Sequence, residues 1–97
     1  MAARKTTFVV ISYDIPNNRR RTKVMEALKD FGRHVQESVF ECDLKPRDLQ
    51  RLLGKLQRLI DTEEDNLRLY YLCEACVPRV EVWGVDTVER LRDYYQV

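Results

Sequence analysis

The hydrophobic pattern begins with an almost continuous apolar run. Residues 8–13 read Phe-Val-Val-Ile-Ser-Tyr, and only Ser12 interrupts them. Such a run predicts a strand covered on both faces, because a strand with one wet face alternates apolar and polar positions. Pro16 ends the strand, and Asn17 or Asn18 can cap a following helix. The chain is therefore expected to open with a buried strand, a turn and a helix.

Two stretches show the periodicity of amphipathic helices. In the first, Val24, Leu28 and Phe31 share one face, and Gly32 follows where a C-terminal cap belongs. In the second, Pro46 suits the first helical position. The apolar face of this second helix comprises Leu49, Leu52, Leu53, Leu56 and Ile60. Each helix is expected to bury this face and expose the other.

Three further segments carry residue types that favour strands. Residues 34–44 read as one continuous strand, residues 67–73 as a strand rich in Leu and Tyr, and residues 80–83 as a short strand that ends at Gly84. Between the second helix and residue 67, an acidic cluster at 62–66 predicts a solvated loop. The tail beyond Gly84 permits a helical turn or two, with apolar positions at Val88, Leu91 and Tyr95.

The order of these elements predicts an α+β sandwich with both helices on one face of a sheet. Two helices cannot cover the second face as well, yet the first strand has the pattern of a strand buried on both sides. A partner sheet from a second copy of the chain is the economical explanation. A length of 97 residues allows one domain, spanning 1–97. The sequence thus predicts a single-domain homodimer.

Composition narrows the class of protein. An apolar share of 44% and a charged share of 34% are typical of a soluble globular chain. A net charge of +1 does not mark a dedicated nucleic-acid binder, so such a role must rest on local clusters. No apolar leader precedes the first strand and no run is long enough to span a membrane, so we expect a cytoplasmic protein without a membrane partner.

One carboxylate, Asp14, stands at the end of the first strand. Mg²⁺ prefers oxygen ligands and often takes only one or two protein carboxylates together with phosphate oxygens. A single Asp14 would hold the cation weakly, but two copies meeting near a two-fold axis would suffice. The metal could then lower the pKa of a bound water or neutralise charge on a scissile phosphate. The alternative is an ordinary turn-forming aspartate.

Two groups of cations could bind phosphate, because arginine forks match phosphate oxygens and a helix N-terminus favours anions. The helix-one cluster, at the start of the first helix, comprises Arg19, Arg20, Arg21 and Lys23. The helix-two stripe lies opposite the apolar face of the second helix and comprises Arg47, Arg51, Lys55 and Arg58. With no acid interleaved, the stripe predicts a track for a nucleic-acid backbone, bound without sequence preference. A solvated helix surface is the alternative for both groups.

The three cysteines fit reduced thiols better than a disulfide framework, because their number is odd. Cys73 and Cys76 form half of a zinc-site motif, which Cys42 and His34 could complete as a Cys₃His set. That second pair is not tightly spaced, so structural thiols are the preferred interpretation. Four tyrosines could stack on bases but more readily pack strands or an interface: Tyr70, Tyr71, Tyr94 and Tyr95.

Three motifs together resemble the small CRISPR-associated endoribonuclease family, the smaller of the two core spacer-acquisition proteins. They are Val-Val-Ile-Ser-Tyr-Asp-Ile at 9–15, Arg-Arg-x-Lys-Val at 20–24, and Phe-Gly-x-His-Val-Gln-x-Ser-Val-Phe-Glu-Cys at 31–42. The resemblance implies a ferredoxin-like βαββαβ fold with an additional C-terminal strand and a homodimer formed by sheet-to-sheet packing. It also implies a divalent cation, Mg²⁺ or another such as Mn²⁺, between paired copies of Asp14.

The same resemblance implies an activity and partners. Some family members are ascribed metal-dependent cleavage of single-stranded RNA or double-stranded DNA, with the carboxylate at the position of Asp14 in the catalytic role. The family also bridges two dimers of the larger CRISPR integrase subunit during spacer insertion, a step of antiviral defence. Its nucleic-acid-binding residues map onto Arg19, Arg20 and Arg21, and its supporting residues onto Tyr13, Ser38 and Phe40.

This sequence departs from the family pattern at one point and from our strand assignment at another. Many relatives carry Arg directly before the Val-Gln pair, where this chain has His34. Arg33 lies one position earlier and is the candidate here for the nucleic-acid contact of that arginine. The family fold also breaks residues 34–44 into a hairpin near Glu37 and Ser38, a break that periodicity does not show.

Three function classes follow. They are a metal-dependent endonuclease, a non-catalytic architectural subunit that holds duplex DNA for an integrase, and a ferredoxin-like metal-handling module using Cys73 and Cys76. The third is disfavoured, because soft-metal carriers of this fold place their cysteines in the first strand–helix loop, where this chain has Asp14. The first two are compatible within one protein.

Overall fold

The computed structural model describes residues 6–83 and has the ferredoxin-like βαββαβ arrangement. The elements are β1 (Thr7–Asp14), α1 (Asn18–Lys29), β2 (Arg33–Gln36), β3 (Val39–Leu44), α2 (Pro46–Leu59) and β4 (Asn66–Leu72), followed by a short 3₁₀ helix (Val77–Arg79). The strands lie in the order β2-β3-β1-β4 and every neighbouring pair is antiparallel. The predicted α+β class is therefore confirmed.

Strand β1 lies inside the sheet and alternates between a buried and a half-buried face. Val9, Ile11 and Tyr13 are 4% exposed or less and face the helices. The intervening residues are half-buried, and Val10 pairs with Glu41 of β3 and Tyr70 of β4. Within residues 6–83, then, β1 is fully covered on one face, not two. The other face of the sheet, the open face, is the one that a partner sheet is predicted to cover.

The core lies between the two helices and the sheet face that they cover, on the other side of the sheet from the open face. Its buried side chains are Val9, Ile11, Tyr13 and Ile15 near β1, Val24, Ala27 and Leu28 from α1, Phe40, Cys42 and Leu44 from β3, and Leu52 and Leu56 from α2. Burying these apolar groups drives the helices onto one sheet face, as the periodicity of the helices predicts.

The helix boundaries follow from the sequence signals. Asn17 caps α1, because its side-chain oxygen accepts a 2.9 Å hydrogen bond from the N–H of Arg20. Pro46 is the first residue of α2. Gly32 is not the C-cap of α1, since that position is Asp30. A Cβ at Gly32 would lie 2.6 Å from the backbone oxygen of Glu41, so the glycine is needed for close approach to β3.

The single strand predicted over 34–44 is wrong, and the hairpin implied by the family resemblance is confirmed. The structure has β2 and β3 joined by a turn at Glu37 and Ser38, with an irregularity between His34 and Gln36. The N–H of Tyr13 donates a 3.1 Å hydrogen bond to the carbonyl of Ser38, which ties this turn to the end of β1.

The predicted strand at residues 80–83 is also wrong. After β4 the chain turns through Cys73–Cys76 and the 3₁₀ helix, and residues 81–83 form no regular element. The side chains of Val82 and Trp83 are 69% and 88% exposed. Residues with high strand propensity form a strand only where a neighbouring strand pairs with them, and propensity alone does not show whether one is present. The predicted tail helix (Val88, Leu91, Tyr95) and the stacking candidates Tyr94 and Tyr95 lie outside the described residues. No helix between residues 6 and 83 is long and apolar enough to cross a bilayer.

Candidate functional site

Asp14 is the last residue of β1 and its side chain is exposed. It pairs with Asn66 of β4, and strand alternation puts it on the open face together with Ser12. Tyr13, one residue earlier, is buried on the helix side. The carboxylate therefore emerges at the corner where the open face meets the loop into α1. A second copy packed on this face would approach the same corner.

A cavity of about 380 Å³ lies beside Asp14 and brings three parts of the fold together. The end of β1, the first turns of α1 and the β2–β3 turn all contribute to its wall. Its lining residues are Tyr13, Asp14, Ile15, Arg21, Thr22, Met25, Glu37 and Ser38. Arg21 donates a 2.8 Å hydrogen bond from Nη1 to the carbonyl of Ile15, which holds its guanidinium in this wall. The cavity thus combines an anion-binding fork with the carboxylates of Asp14 and Glu37.

The rings of Tyr13, Phe40 and His34 form an aromatic stack next to this cavity. Phe40 is fully buried, lies 6.4 Å from the Tyr13 ring and stacks in parallel on His34 at 4.3 Å. The Tyr13 hydroxyl and a ring nitrogen of His34 both meet the carbonyl of Glu37, at 3.3 and 3.0 Å. The stack therefore fixes the β2–β3 turn. Of the predicted supporting residues, Tyr13 and Ser38 line the cavity, and the ring of Phe40 stacks against that of Tyr13.

The Tyr13 hydroxyl acts as a hydrogen-bond donor in this stack. Burial raises its pKa above the ordinary value, the charge of Arg21 partly opposes the rise, and Glu37 adds to it. The phenol consequently stays protonated at neutral pH. In the structure this hydroxyl holds the turn through its hydrogen bond to the carbonyl of Glu37.

Arg20 differs from its neighbours in the helix-one cluster because its guanidinium is already bound within the chain. It makes a bidentate ion pair with Asp65, with Nε–Oδ2 at 2.9 Å and Nη2–Oδ1 at 3.0 Å, and a 3.4 Å contact to Glu64. The Asp65 side chain is enclosed and also accepts the N–H of Asp61. These partners, Arg20 first, hold the pKa of Asp65 below its ordinary range. The pair clamps α1 to the loop before β4, whereas Arg19 and Arg21 remain exposed.

All four members of the helix-two stripe are exposed, and three of them line a second groove of about 730 Å³. Its lining residues are Asp30, Phe31, Leu44, Asp48, Gln50, Arg51, Gly54, Lys55 and Arg58. Arg51 contacts Asp48 at 3.4 Å and lies 5.8 Å from the Phe31 ring centroid. The prediction of a stripe without interleaved acid is therefore wrong, because Asp48 lies one turn before Arg51. Arg33, at the start of β2, is exposed and lies outside this groove.

The four residues of the proposed Cys₃His set do not assemble. Cys42 is buried in the core, where burial raises its pKa to about 11, and the ring of His34 is stacked on Phe40. Cys73 and Cys76 are exposed beyond the end of β4. Between residues 6 and 83 no group of three or more His, Cys, Asp or Glu side chains could hold a metal ion. A cation at Asp14 would thus need ligands beyond one chain, as the single carboxylate already indicates.

Sequence reasoning missed two contributions to this region. Glu37 lies in the cavity wall because the hairpin turns there, and Asp65 meets a residue 45 positions away. The acidic composition of residues 62–66 was the available signal for Asp65, but composition does not identify a distant partner.

Comparison with known proteins places this geometry in context. A family model described as CRISPR associated protein Cas2 matches residues 7–80. A protein from Chloroflexus aurantiacus described as CRISPR-associated endoribonuclease Cas2 1 is 47% identical over 78 residues, which is 79% of this chain and 84% of the relative.

Solved structures share the fold. The crystal structure of the hypothetical protein TT1823 from Thermus thermophilus matches with a TM-score of 0.73 and 41% identity, over 82% of this chain and 93% of that one. A chain in a partial Cas6-RT-Cas1–Cas2 complex matches with a TM-score of 0.67 and 31% identity, over 78% of this chain and 89% of that one.

Proposed function

The chain belongs to the CRISPR associated protein Cas2 family, and from this premise we propose that it is a CRISPR adaptation protein with metal-dependent endonuclease activity. The substrate would be single-stranded RNA or double-stranded DNA, and the cation Mg²⁺ or Mn²⁺. Relatives named endoribonuclease and endonuclease support the reaction class. The observation that carries the proposal is the exposed Asp14 at the end of β1, beside Arg21 in one cavity.

A homodimer through the open face is part of this proposal. The open face carries half-buried apolar side chains, among them Phe8, Val10 and Leu72, and Tyr70 is 48% exposed. Burial of such groups against a second sheet stabilises association by about 25 cal/mol per Å² of apolar area before the costs of association. Two-fold packing would bring the two Asp14 side chains together. Paired carboxylates would then provide oxygen ligands from both chains.

The chain's own residues would bind and orient the substrate. When bound, the divalent cation would lower the pKa of an attacking water and neutralise charge on the phosphate. Asp14 would be its protein ligand. Arg21 has donors besides the one used by Ile15, and these suit non-bridging phosphate oxygens. The stack under Glu37 would keep the cavity wall in place while a phosphodiester is held.

Metal removal tests the proposal. Wild-type protein incubated with Mg²⁺ or Mn²⁺ is expected to cut labelled single-stranded RNA or duplex DNA, and EDTA should lower the rate to background. Excess metal should restore it. Running both substrates in parallel, with product analysis on denaturing gels, identifies the preferred nucleic acid. Cleavage that survives EDTA would contradict metal dependence, and absence of cleavage with either substrate and either metal would contradict the nuclease assignment.

A second function is compatible with the first: an architectural subunit that binds duplex DNA and bridges dimers of the larger CRISPR integrase subunit. The exposed helix-two stripe supports it, since cations aligned on one helix face suit a phosphate backbone. A structural relative within a complex that includes Cas1 supports an integrase partner. This role would not need the carboxylate of Asp14.

Charge reversal on the stripe tests the architectural function. Replacing Arg47, Arg51 and Arg58 with Glu is expected to weaken duplex binding at least tenfold at moderate salt and to lower the salt slope by about 0.9 per lost phosphate contact. Fluorescence anisotropy across a salt series measures both quantities. The matched control changes the same three residues to Lys, which keeps the charge and should keep the slope. Unchanged affinity in the Glu variant would exclude the stripe as the binding surface.

A further inference from the structure

The turn after β4 holds two thiols that the proposed function does not use. Cys73 directly follows β4, and its Sγ lies 3.3 Å from the Sγ of Cys76. Both side chains are exposed and neither is in a disulfide. The N–H groups of Cys76 and Val77 donate to the carbonyl of Cys73 at 2.9 and 3.1 Å. The turn therefore already presents the two sulfur atoms to each other at the surface.

Little movement separates these thiols from a disulfide. Bonded sulfur atoms are about 2.0 Å apart, so closure requires an approach of about 1.3 Å from the present 3.3 Å. Rotation of these two exposed side chains can provide it, because the hydrogen bond from the N–H of Cys76 to the carbonyl of Cys73 already folds the backbone into a turn that brings the two residues together. The fold of the core is not involved.

The two thiols also differ in acidity. The Cys76 thiol, followed by the backbone N–H groups of Cys76 and Ala75, stabilises a thiolate on Cys73 and holds the pKa of Cys73 below its ordinary value. The neighbouring Cys73 raises the pKa of Cys76. Because the thiolate is the nucleophile, Cys73 is the attacking residue and Cys76 the second one. Cys42 is buried with a pKa of about 11 and is an unreactive reference within the same chain.

A metal explains the pair less well. Structural zinc takes four ligands, and the two thiols form no larger group of His, Cys, Asp or Glu side chains within residues 6–83. Two exposed thiolates on one turn would leave half of the coordination sphere to solvent. Their mutual contact instead suits a two-electron reaction between the sulfurs themselves.

We propose that Cys73 and Cys76 form a redox-active dithiol that reduces small-molecule disulfides of the glutathione class. The Cys73 thiolate attacks one sulfur of the small disulfide, forms a mixed disulfide and releases one thiolate. The Cys76 sulfur then attacks Cys73 Sγ, forms the intramolecular disulfide and releases the second thiolate. The two cysteine protons end on the two released thiols, and two electrons pass from the cysteines to the small disulfide. The product closes the turn by which the chain leaves the sheet.

The test uses the full chain and oxidised glutathione as the probe. After acid quenching, denaturation and alkylation, intact mass should show wild-type protein with one internal disulfide and one alkylated cysteine, assigned to Cys42 by peptide mapping. Cys76→Ser should stop at a glutathione adduct on Cys73. Cys73→Ser should likewise stop at a glutathione adduct on Cys76, because neither single-Ser variant has a second exposed thiol to displace the glutathione.

Three results would overturn the proposal. They are a wild type that keeps three alkylatable thiols, a wild type that accumulates the adduct as Cys76→Ser does, and a disulfide between two chains on a non-reducing gel. Purified protein that holds stoichiometric zinc through both thiols would also overturn it and would assign the pair to a metal. Both substitutions lie at exposed positions, so circular dichroism is expected to match the wild type.

Discussion

Asp14→Asn is expected to abolish divalent-metal-dependent cleavage, with a rate loss of about 100-fold or more. The amide keeps the size of the side chain but removes the negative charge that would hold the cation, and a metal's contribution to such a transition state is several kcal/mol. Asp14 is exposed at a strand end, so the substitution should leave folding unchanged. Initial rates with Mg²⁺ and Mn²⁺, on the better of the two substrates, measure the effect.

Asp43→Asn is the matched control for this substitution. Asp43 is also an exposed carboxylate, but it pairs with Phe8 near the opposite end of β1 from Asp14. The Asp43→Asn variant should cleave the substrate at the wild-type rate. Light scattering should give the same mass for wild type and both variants, because each substitution removes one charge but leaves the apolar side chains of the open face, Phe8 and Val10 among them, in place. An Asp14→Asn protein that still cuts with Mg²⁺ would refute the catalytic assignment, and a strictly monomeric wild type would refute the paired-carboxylate site.

Phe40→Ala is expected to lower the free energy of unfolding by about 3–5 kcal/mol. Phe40 is fully buried in β3, pairs with Ile11 and packs between Tyr13 and His34. Truncation removes buried apolar surface and leaves a cavity under the turn that carries Glu37. Domains of this size have about 5–15 kcal/mol in total, so the loss is a large fraction of it. Urea denaturation followed by circular dichroism measures the change in midpoint.

Phe40→Leu is the control, because it keeps most of the apolar volume and should cost clearly less than the Ala substitution. An exposed substitution such as Gln57→Ala should change the free energy of unfolding by no more than about 0.5 kcal/mol. An Ala variant within about 1 kcal/mol of the wild type would contradict the packing described here for Phe40.

Local sequence signals were sufficient to predict the two helices and the points where they begin. The cap at Asn17, the first helical position at Pro46 and the apolar faces of both helices are visible in the sequence, because caps and periodicity act within a few residues. The hairpin was not visible in the same way. Glu37 and Ser38 are not the Asn-Gly or Asp-Gly pair that marks a tight turn, so the strand pattern runs through them without a break.

Long-range partners account for the remaining differences. Arg20 was predicted to bind phosphate, yet its guanidinium is paired with Asp65, which lies 45 positions away in the sequence. Residues 80–83 had strand-forming composition, but no strand within residues 6–83 pairs with them. An ion pair and the pairing of two strands both depend on residues that are distant in the sequence but close in the fold, and the local sequence does not identify them.

Asp14 itself was identifiable from the chain, because a carboxylate directly after a buried apolar run must emerge at a strand end. Its surroundings were not. Folding brings Arg21 and Glu37 to the cavity wall beside it, engages Arg20 elsewhere and buries Cys42 away from Cys73 and Cys76. The sequence determines which side chains lie at the end of each helix and strand, since element ends depend on residues close by in the chain. Which of those groups meet depends on how the helices and strands pack, since burial of the shared core sets their relative positions.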